Sequence, residues 1–161
     1  MSRFGKVLGA LADHEVRFIL VGGVAATAHG SSRLTQDVDV VYARDRENLG
    51  CLVVALRPYE PYLRGAPPGL PFSWDLATLE RGLNLTLSTT LGAVDLLGEI
   101  AGGGTYESLL PDSVEIEVFG IRCRCLDLRR LIEVKRAAGR PKDLEAIAEL
   151  ESLLDERDEM V

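Results

Sequence analysis

Two aspartates stand inside what is otherwise an apolar strand. Residues 17–43 read RFILVGGVAATAHGSSRLTQDVDVVYA, with Asp37 and Asp39 set between Val38, Val40 and Val41. Asp is depleted from strand interiors, so this placement carries a local cost, and such costs tend to mark sites. Side chains two apart along a strand share a face, which sends both carboxylates one way and Val38 and Val40 the other. The apolar face must be buried. The acidic face has two readings: a solvated surface, or a clamp for a hard divalent cation, which takes carboxylate oxygens and shares its remaining positions with water and substrate phosphates. Just upstream, Gly22 and Gly23 end an apolar strand at 17–21 and open an Ala-rich segment, 24–29, expected to be helical. Free N–H groups at a helix start face anions, although a Gly-Gly pair by itself is usually only a turn. In the order strand, Gly-Gly, helix, Asp-x-Asp strand, the two halves together specify a site for a phosphate compound held with a metal.

The rest of the chain supplies elements around that unit. Apolar residues at helical spacing (Phe4, Val7, Leu8, Leu11) predict a helix over 2–14, and Asp45 caps a helix running to about Arg57. Residues 58–73 hold five of the seven prolines and are expected to form an irregular loop, whose Tyr59, Tyr62, Arg64 and Phe72, with Trp74 beside it, either stack on a base or pack on the core. Segments 83–89 and 93–97 alternate as paired strands, with Asp95 between Val94 and Leu96, again an acid in apolar company. The stretch 100–104 is glycine-rich and expected to be flexible. A hairpin is expected at 114–119 and 121–125, then a helix from Asp127 to about Ala138 that Gly139 ends, and a last helix from Pro141. With no repeat or linker, 1–161 reads as one domain.

Composition narrows the class. The chain has no apolar run long enough for a membrane span and no good leader at its start, so a cytoplasmic protein is expected. Cys51, Cys123 and Cys125 lack metal-site spacing and read as core or strand residues. A net charge of −7 argues against indiscriminate nucleic-acid coating. That average hides an asymmetry: 122–142 holds eight basic and two acidic residues, whereas 143–161 holds eight acidic and one basic. The basic stretch is either a solvated helix surface or a locally positive face. Two of the three lysines, Lys135 and Lys142, fall within it in a chain that otherwise uses Arg, which hints at a need for a compact ammonium.

Gly22-Gly23 followed by Arg33, Thr35, Asp37 and Asp39, with KRAAGRPKDLEAI far downstream, resembles the nucleotidyltransferases with a DNA polymerase beta-like core, and within them the AbiEii-type branch. The likeness runs from about residue 14 to about residue 155. It implies an α/β nucleotidyltransferase (polymerase beta-like palm) fold, a mixed sheet flanked by helices with the C-terminal helices packed beside the site. It also implies transfer of a nucleoside monophosphate from an NTP to an acceptor hydroxyl, with Asp37, Asp39 and Asp95 holding Mg2+ (two ions, with Mn2+ as the alternative). Gly22, Gly23, Arg33, Thr35 and Lys142 would bind the nucleotide, and Lys135 and Asp143, from consecutive helices, would belong to the catalytic set. Many relatives carry Ser where this chain has Gly23, which leaves phosphate holding there to the backbone. The branch is associated with toxins that act on tRNA and have a cognate antitoxin, while other minimal relatives modify proteins or small molecules. The rival readings on the same fold are a non-catalytic, antitoxin-like partner and a module that senses NTP without transfer.

Overall fold

The computed structural model describes residues 2–102 and 104–160. In chain order its elements are α1 (Arg3–Asp13), β1 (Phe18–Val21), α2 (Gly22–Ala28), β2 (Asp37–Tyr42), α3 (Arg46–Leu56), β3 (Tyr62–Leu63), α4 (Leu76–Arg81), β4 (Asn84–Thr89), β5 (Gly92–Leu97), β6 (Glu99–Ile100), β7 (Gly104–Thr105), α5 (Tyr106–Leu109), β8 (Ser113–Val118), β9 (Ile121–Leu126), α6 (Leu128–Ala138) and α7 (Pro141–Glu159). Five helices start on the same device: the side chains of Ser2, Asp45, Asp75, Thr105 and Asp127 each accept from the backbone N–H three residues on. Gly139, left-handed, ends α6 and lets Pro141 open α7 at once.

Seven strands form one mixed sheet in the order β3-β4-β5-β2-β1-β9-β8. The β2–β5 and β1–β9 pairs are parallel and the others antiparallel. Register fixes which side chains share a face. Val38 lies opposite Val94, Val40 opposite Leu96, and Leu87 opposite Val94, and all five are buried. Asp37, Asp39, Asp95 and Thr86, at the alternate positions, point to the other face. The mixed sheet flanked by helices is the architecture the resemblance implies. Among the described residues no helix is long and apolar enough to cross a membrane.

Three sequence expectations change. The segment 58–73 is not wholly irregular: Tyr62 and Leu63, free of proline, form β3 and pair with Ser88 and Leu87 at the sheet's edge, where missing N–H groups elsewhere in the loop do no harm. The glycine-rich 100–104 closes a two-residue ladder between β6 and β7, apart from Gly103, which lies outside the described residues. Helix α2 begins at Gly22 rather than near Val24, so both glycines belong to its first turn. Trp74 settles between its two readings on the core side, buried with its ring N–H donated to Val53 O at 2.9 Å.

One buried polar side chain ties α3 to the sheet. Asn48, 1% exposed, accepts from Arg17 N at 2.7 Å and donates to Arg17 O at 3.1 Å and Ala43 O at 2.8 Å. It thereby satisfies backbone groups where β1 begins and β2 ends. Asn48→Ala removes three hydrogen bonds at once, leaving Arg17 N and Ala43 O without this partner while Arg17 O keeps its bond from Ala43 N, and we expect urea unfolding to show a loss of about 2–4 kcal/mol with unchanged native far-UV CD. Asn48→Asp keeps the acceptor but turns a carboxyl oxygen toward the Arg17 and Ala43 carbonyls, and is expected to destabilise at least as much as Asn48→Ala.

Candidate active site

The acids form a row across the sheet. Asp39 lies opposite Asp95 in the parallel β2–β5 pair, and Asp95 lies opposite Thr86 in β4. Asp37 stands two residues before Asp39 on the same face. Each offers an oxygen such that the three ligand atoms lie within 4.8 Å of one another. Asp39 Oδ1 is buried and has no hydrogen-bond partner among the described residues. Burial, then the charges of Asp95 and Asp37, push the Asp39 carboxyl up to about 7, with Lys142 pulling the other way. An unpartnered buried oxygen among three crowded carboxylates is what a hard-cation site leaves when the cation is not counted, so these residues fit a divalent ion. The positive charge that is present comes from Arg64, just past β3, whose guanidinium donates to Asp95 Oδ1 and approaches Asp37 Oδ1 at 3.9 Å.

Helix α2 enters the site with no side chain on its first turn. Gly22 has φ +70°, and a Cβ there would lie 2.1 Å from Asp39 Oδ2. Only glycine lets the chain turn into the helix that close to the acid. At Gly23 a Cβ would lie 2.4 Å from Thr35 Oγ1 and 2.7 Å from Thr35 Cβ, so Thr35 fills the space that a side chain at 23 would occupy. Thr35, expected to bind nucleotide, is in place beside the glycines, and its hydroxyl stands where a serine at position 23 would begin. Substituting Gly23 therefore disturbs packing before it reaches any ligand.

The other wall comes from α6 and α7, which pack against each other. Lys135 on α6 is largely buried, with Nζ 3.9 Å from Asp143 Oδ1 on α7. Its pKa is lowered, chiefly by burial, although Asp143 works to raise it. Asp143 is only 2% exposed. Arg140 grips it through Nε to Oδ2 at 2.6 Å and Nη2 to Oδ1 at 3.2 Å. Burial acts to raise the Asp143 pKa, but Arg140 and Lys135 together hold it below the usual range. Two clefts meet here, and Gly22, Asp39, Lys135, Arg140 and Asp143 line both. One, of about 390 Å³, is walled by apolar Leu97, Ile100, Leu131 and Val134. The other, of about 190 Å³, adds Gly23, Arg33, Thr35, Asp37 and Lys142. Asp95 lies beyond both, under Arg64.

All ten residues singled out in the sequence thus gather around Asp39, with Arg33 the most peripheral, exposed and 3.5 Å from Glu145. In the basic stretch 122–142, by contrast, five of the eight basic residues sit in ion pairs among the described residues, and Arg122, Arg124 and Lys142 do not. Arg129 pairs with Asp158, Arg136 with Glu151, Arg130 with Glu133 and Asp112, and Arg140 with Asp143, while Arg122 and Arg124 lie opposite Glu117 and Glu115. The acidic C-terminal run is the partner of the basic one. Sequence reasoning missed Arg140, and it placed Arg64 only among the loop residues that stack on a base or pack on the core, not beside the acids. Arg140 carries a signal that was available, a basic residue three before Asp143 at a helix start. Arg64 carries none, because its contact with Asp95 exists only after β3 has paired with β4.

No protein-family model matches this sequence, and no curated protein matches it significantly. Solved structures do resemble it. The antibiotic-resistance factor ANT(2'')-Ia superposes with a TM-score of 0.63 at 15% identity, over 94% of this chain and 82% of that one. The lincosamide antibiotic adenylyltransferase LnuA, solved with lincomycin bound, gives 0.62 at 15% identity over 94% and 96%. A Thermotoga maritima protein suggested to be a nucleotidyltransferase gives 0.56 at 16% identity over 94% and 89%. At these identities the likeness establishes the nucleotidyltransferase fold.

Two measurements test this geometry. Gly23→Ala is expected to cost about 1–3 kcal/mol by overcrowding Thr35, and Thr35→Gly in the same chain should recover most of that loss, giving a strongly non-additive cycle in denaturant unfolding. Additive effects would mean that the two residues do not share the space. For Asp39, the folded carboxyl titrates near 7 against 3.8 for the ordinary group. A raised acid favours the folded state only while protonated, so its contribution is full below about pH 4 and is lost as pH rises through about 7. In EDTA, the melting temperature should therefore fall more between pH 5 and pH 8 in the parent than in Asp39→Asn; parallel curves would contradict the crowding of the acids.

Proposed function

We propose that this protein transfers a nucleoside monophosphate from an NTP to an acceptor hydroxyl and releases pyrophosphate. The observation that carries the reading is the acid row itself: three carboxylates converge, one with an orphaned buried oxygen, beside a helix start stripped of side chains. That pairing of anionic ligands with a bare helix N-terminus suits a metal-bound triphosphate better than it suits any neutral ligand.

Asp37, Asp39 and Asp95 would hold divalent ions, Mg2+ first and Mn2+ as the alternative. Such ions, when bound, supply charge to the attacking and leaving oxygens of an in-line displacement. The chain's own groups do the rest. Backbone N–H groups at Gly22 and Gly23 and the Thr35 hydroxyl line the smaller cleft, where the triphosphate is best received, with Lys142 and Arg33 at its mouth. Lys135, partly stripped of water and steered by Asp143, faces the same cleft and is positioned to neutralise charge that grows on the departing pyrophosphate. Arg140 locks Asp143 so that its carboxylate keeps one orientation toward Lys135. The acceptor approaches on the Asp95 side. Its oxygen forms a bond to the α-phosphorus as the bond from that phosphorus to the pyrophosphate oxygen breaks, and the hydroxyl proton passes to a carboxylate of the row.

The AbiEii-type resemblance brings with it a tRNA acceptor and a toxin with its antitoxin. An RNA backbone would need free cations, and ion pairs among the described residues engage five of the eight basic residues of 122–142, so the electrostatic support for that acceptor is weak. The lincosamide named for LnuA, and the antibiotic resistance named for ANT(2'')-Ia, make a small hydroxyl compound the second acceptor class to test.

Pyrophosphate release should be followed with each NTP and Mg2+, against total tRNA, candidate proteins, and lincosamide hydroxyls. Asp37→Asn and Asp39→Asn are expected to abolish release with the fold intact, since the amide keeps shape but not charge. Retained turnover in both would sink the assignment. Lys135→Ala should lose on the order of 10²-fold in turnover, with Lys135→Arg also impaired and melting temperature little changed. Parent rates for Lys135→Ala would confine the chemistry to the strand acids.

A further inference from the structure

The acid row extends one residue further than the acids. Arg64 N donates to Thr86 O at 3.0 Å, Thr86 lies opposite Asp95, and Asp95 opposite Asp39. Arg64 is therefore the end of a line that crosses β4, β5 and β2. Adjacent strands are about 4.8 Å apart, so two of them separate its backbone from that of Asp95 by about 10 Å. Only a long side chain laid flat over Thr86 closes that distance. Arg64 does so: its side chain is 32% exposed, that of Asp95 only 18%, and the two form an ion pair. The same guanidinium leans toward Asp37, while its Nη1 is buried with no hydrogen-bond partner.

A buried guanidinium nitrogen without a partner is an uncomfortable resting place, tolerated because three carboxylates otherwise share little positive charge. Among the described ion pairs Asp95 has no cation but Arg64; Lys135, Lys142 and Arg140 all stand at the other end of the row, against α7. Oδ1 of Asp95 accepts from the guanidinium, so an ion seeking that oxygen competes with Arg64 for its lone pairs. We infer that Arg64 is a resident counter-ion that competes with the divalent cation for Asp95 and Asp37: it holds the row together in the ion-free protein and must swing off before the Asp95 end loads. The backbone need not move, since rotation of the side chain away from Thr86 is enough. Loading would then begin at Asp39, whose Oδ1 no protein group occupies, and finish at Asp95 against Arg64. The inference rests on the reading of Asp37, Asp39 and Asp95 as cation ligands.

Mn2+ binding without nucleotide, followed by electron paramagnetic resonance, tests it directly. Arg64→Gln and Arg64→Met both remove the charge, and Met keeps the apolar stem over Thr86. Each should bind Mn2+ about ten- to a hundredfold more tightly than the parent, the range that displacing one charge-assisted hydrogen bond implies. Each should also melt lower in EDTA yet gain more on adding Mn2+, a pair of opposite shifts that a merely structural arginine would not give. Adding Asp95→Asn separates competition from plain repulsion: the gain from Arg64→Gln should largely vanish in that background, whereas through-space repulsion would leave it intact and overturn the inference. Unchanged or weaker Mn2+ binding in both Arg64 variants, with binding still lost in Asp37→Asn and Asp39→Asn, would overturn this inference alone. Mn2+ binding indifferent to Asp37 and Asp39, or absent from every protein, would remove the cation site and the inference with it.

Discussion

Three like charges on adjacent positions of one sheet face are the constraint to which the neighbouring elements answer. Without compensation, a row with Asp37, Asp39 and Asp95 crowded together repels itself, and burial of Asp39 makes ionisation harder still. The fold surrounds the row with devices that lower this cost. Helix α2 presents its N-terminal end, α6 and α7 bring Lys135 and Lys142, and β3 brings Arg64. None of these is required by the apolar face beneath, where Val38, Val40, Val94 and Leu96 would form the same sheet whatever stood above them. The energetic burden is placed on one face and the stability on the other, which allows the acids to be arranged for binding and not for folding.

The terminal helices add a second layer of charge accounting. Read as a sequence, the basic 122–142 and acidic 143–161 look like two surfaces with different partners. In the fold they are consecutive helices lying together, and Arg129–Asp158 and Arg136–Glu151 show each run neutralising the other. Exposed pairs of this kind add little stability individually. Their consequence is electrostatic: they neutralise much of the surface of α6, while Lys142, lining the cleft, has no ion-pair partner among the described residues.

The strands, the caps and the acid pair were legible because each follows from local rules. Asp-x-Asp within valines fixes a face, Asp45 and Asp127 start helices, and Gly139 with Pro141 ends one and begins the next. β3 was hidden because two residues between prolines carry no periodicity, and they become a strand only when β4 supplies the partner. Arg64 was hidden for the same reason one step further on, since its role depends on a register two strands wide. Arg140 differed. It sat in view within a run of basic residues, and run-level reading obscured the specific three-residue spacing to Asp143. Local rules, then, recover elements and lose the contacts made across them.

Gly23 shows how such a contact changes the meaning of a residue. Taken alone, a glycine where the nucleotidyltransferases this sequence resembles carry serine reads as a missing hydroxyl. In the structure, Thr35 Oγ1 lies within 2.4 Å of where a Cβ at 23 would be, so the two positions share one volume and a hydroxyl is present there after all, delivered from the opposite segment. A serine at 23 would collide with the threonine; a glycine makes room for it. Gly22 follows the same logic toward Asp39. Both glycines are specified first by the acid and the hydroxyl they admit, and the close approach they permit a ligand follows from that. The helix start is bare because its neighbours reach into it, so what surrounds this turn is set by Thr35 and Asp39 as much as by the backbone they face.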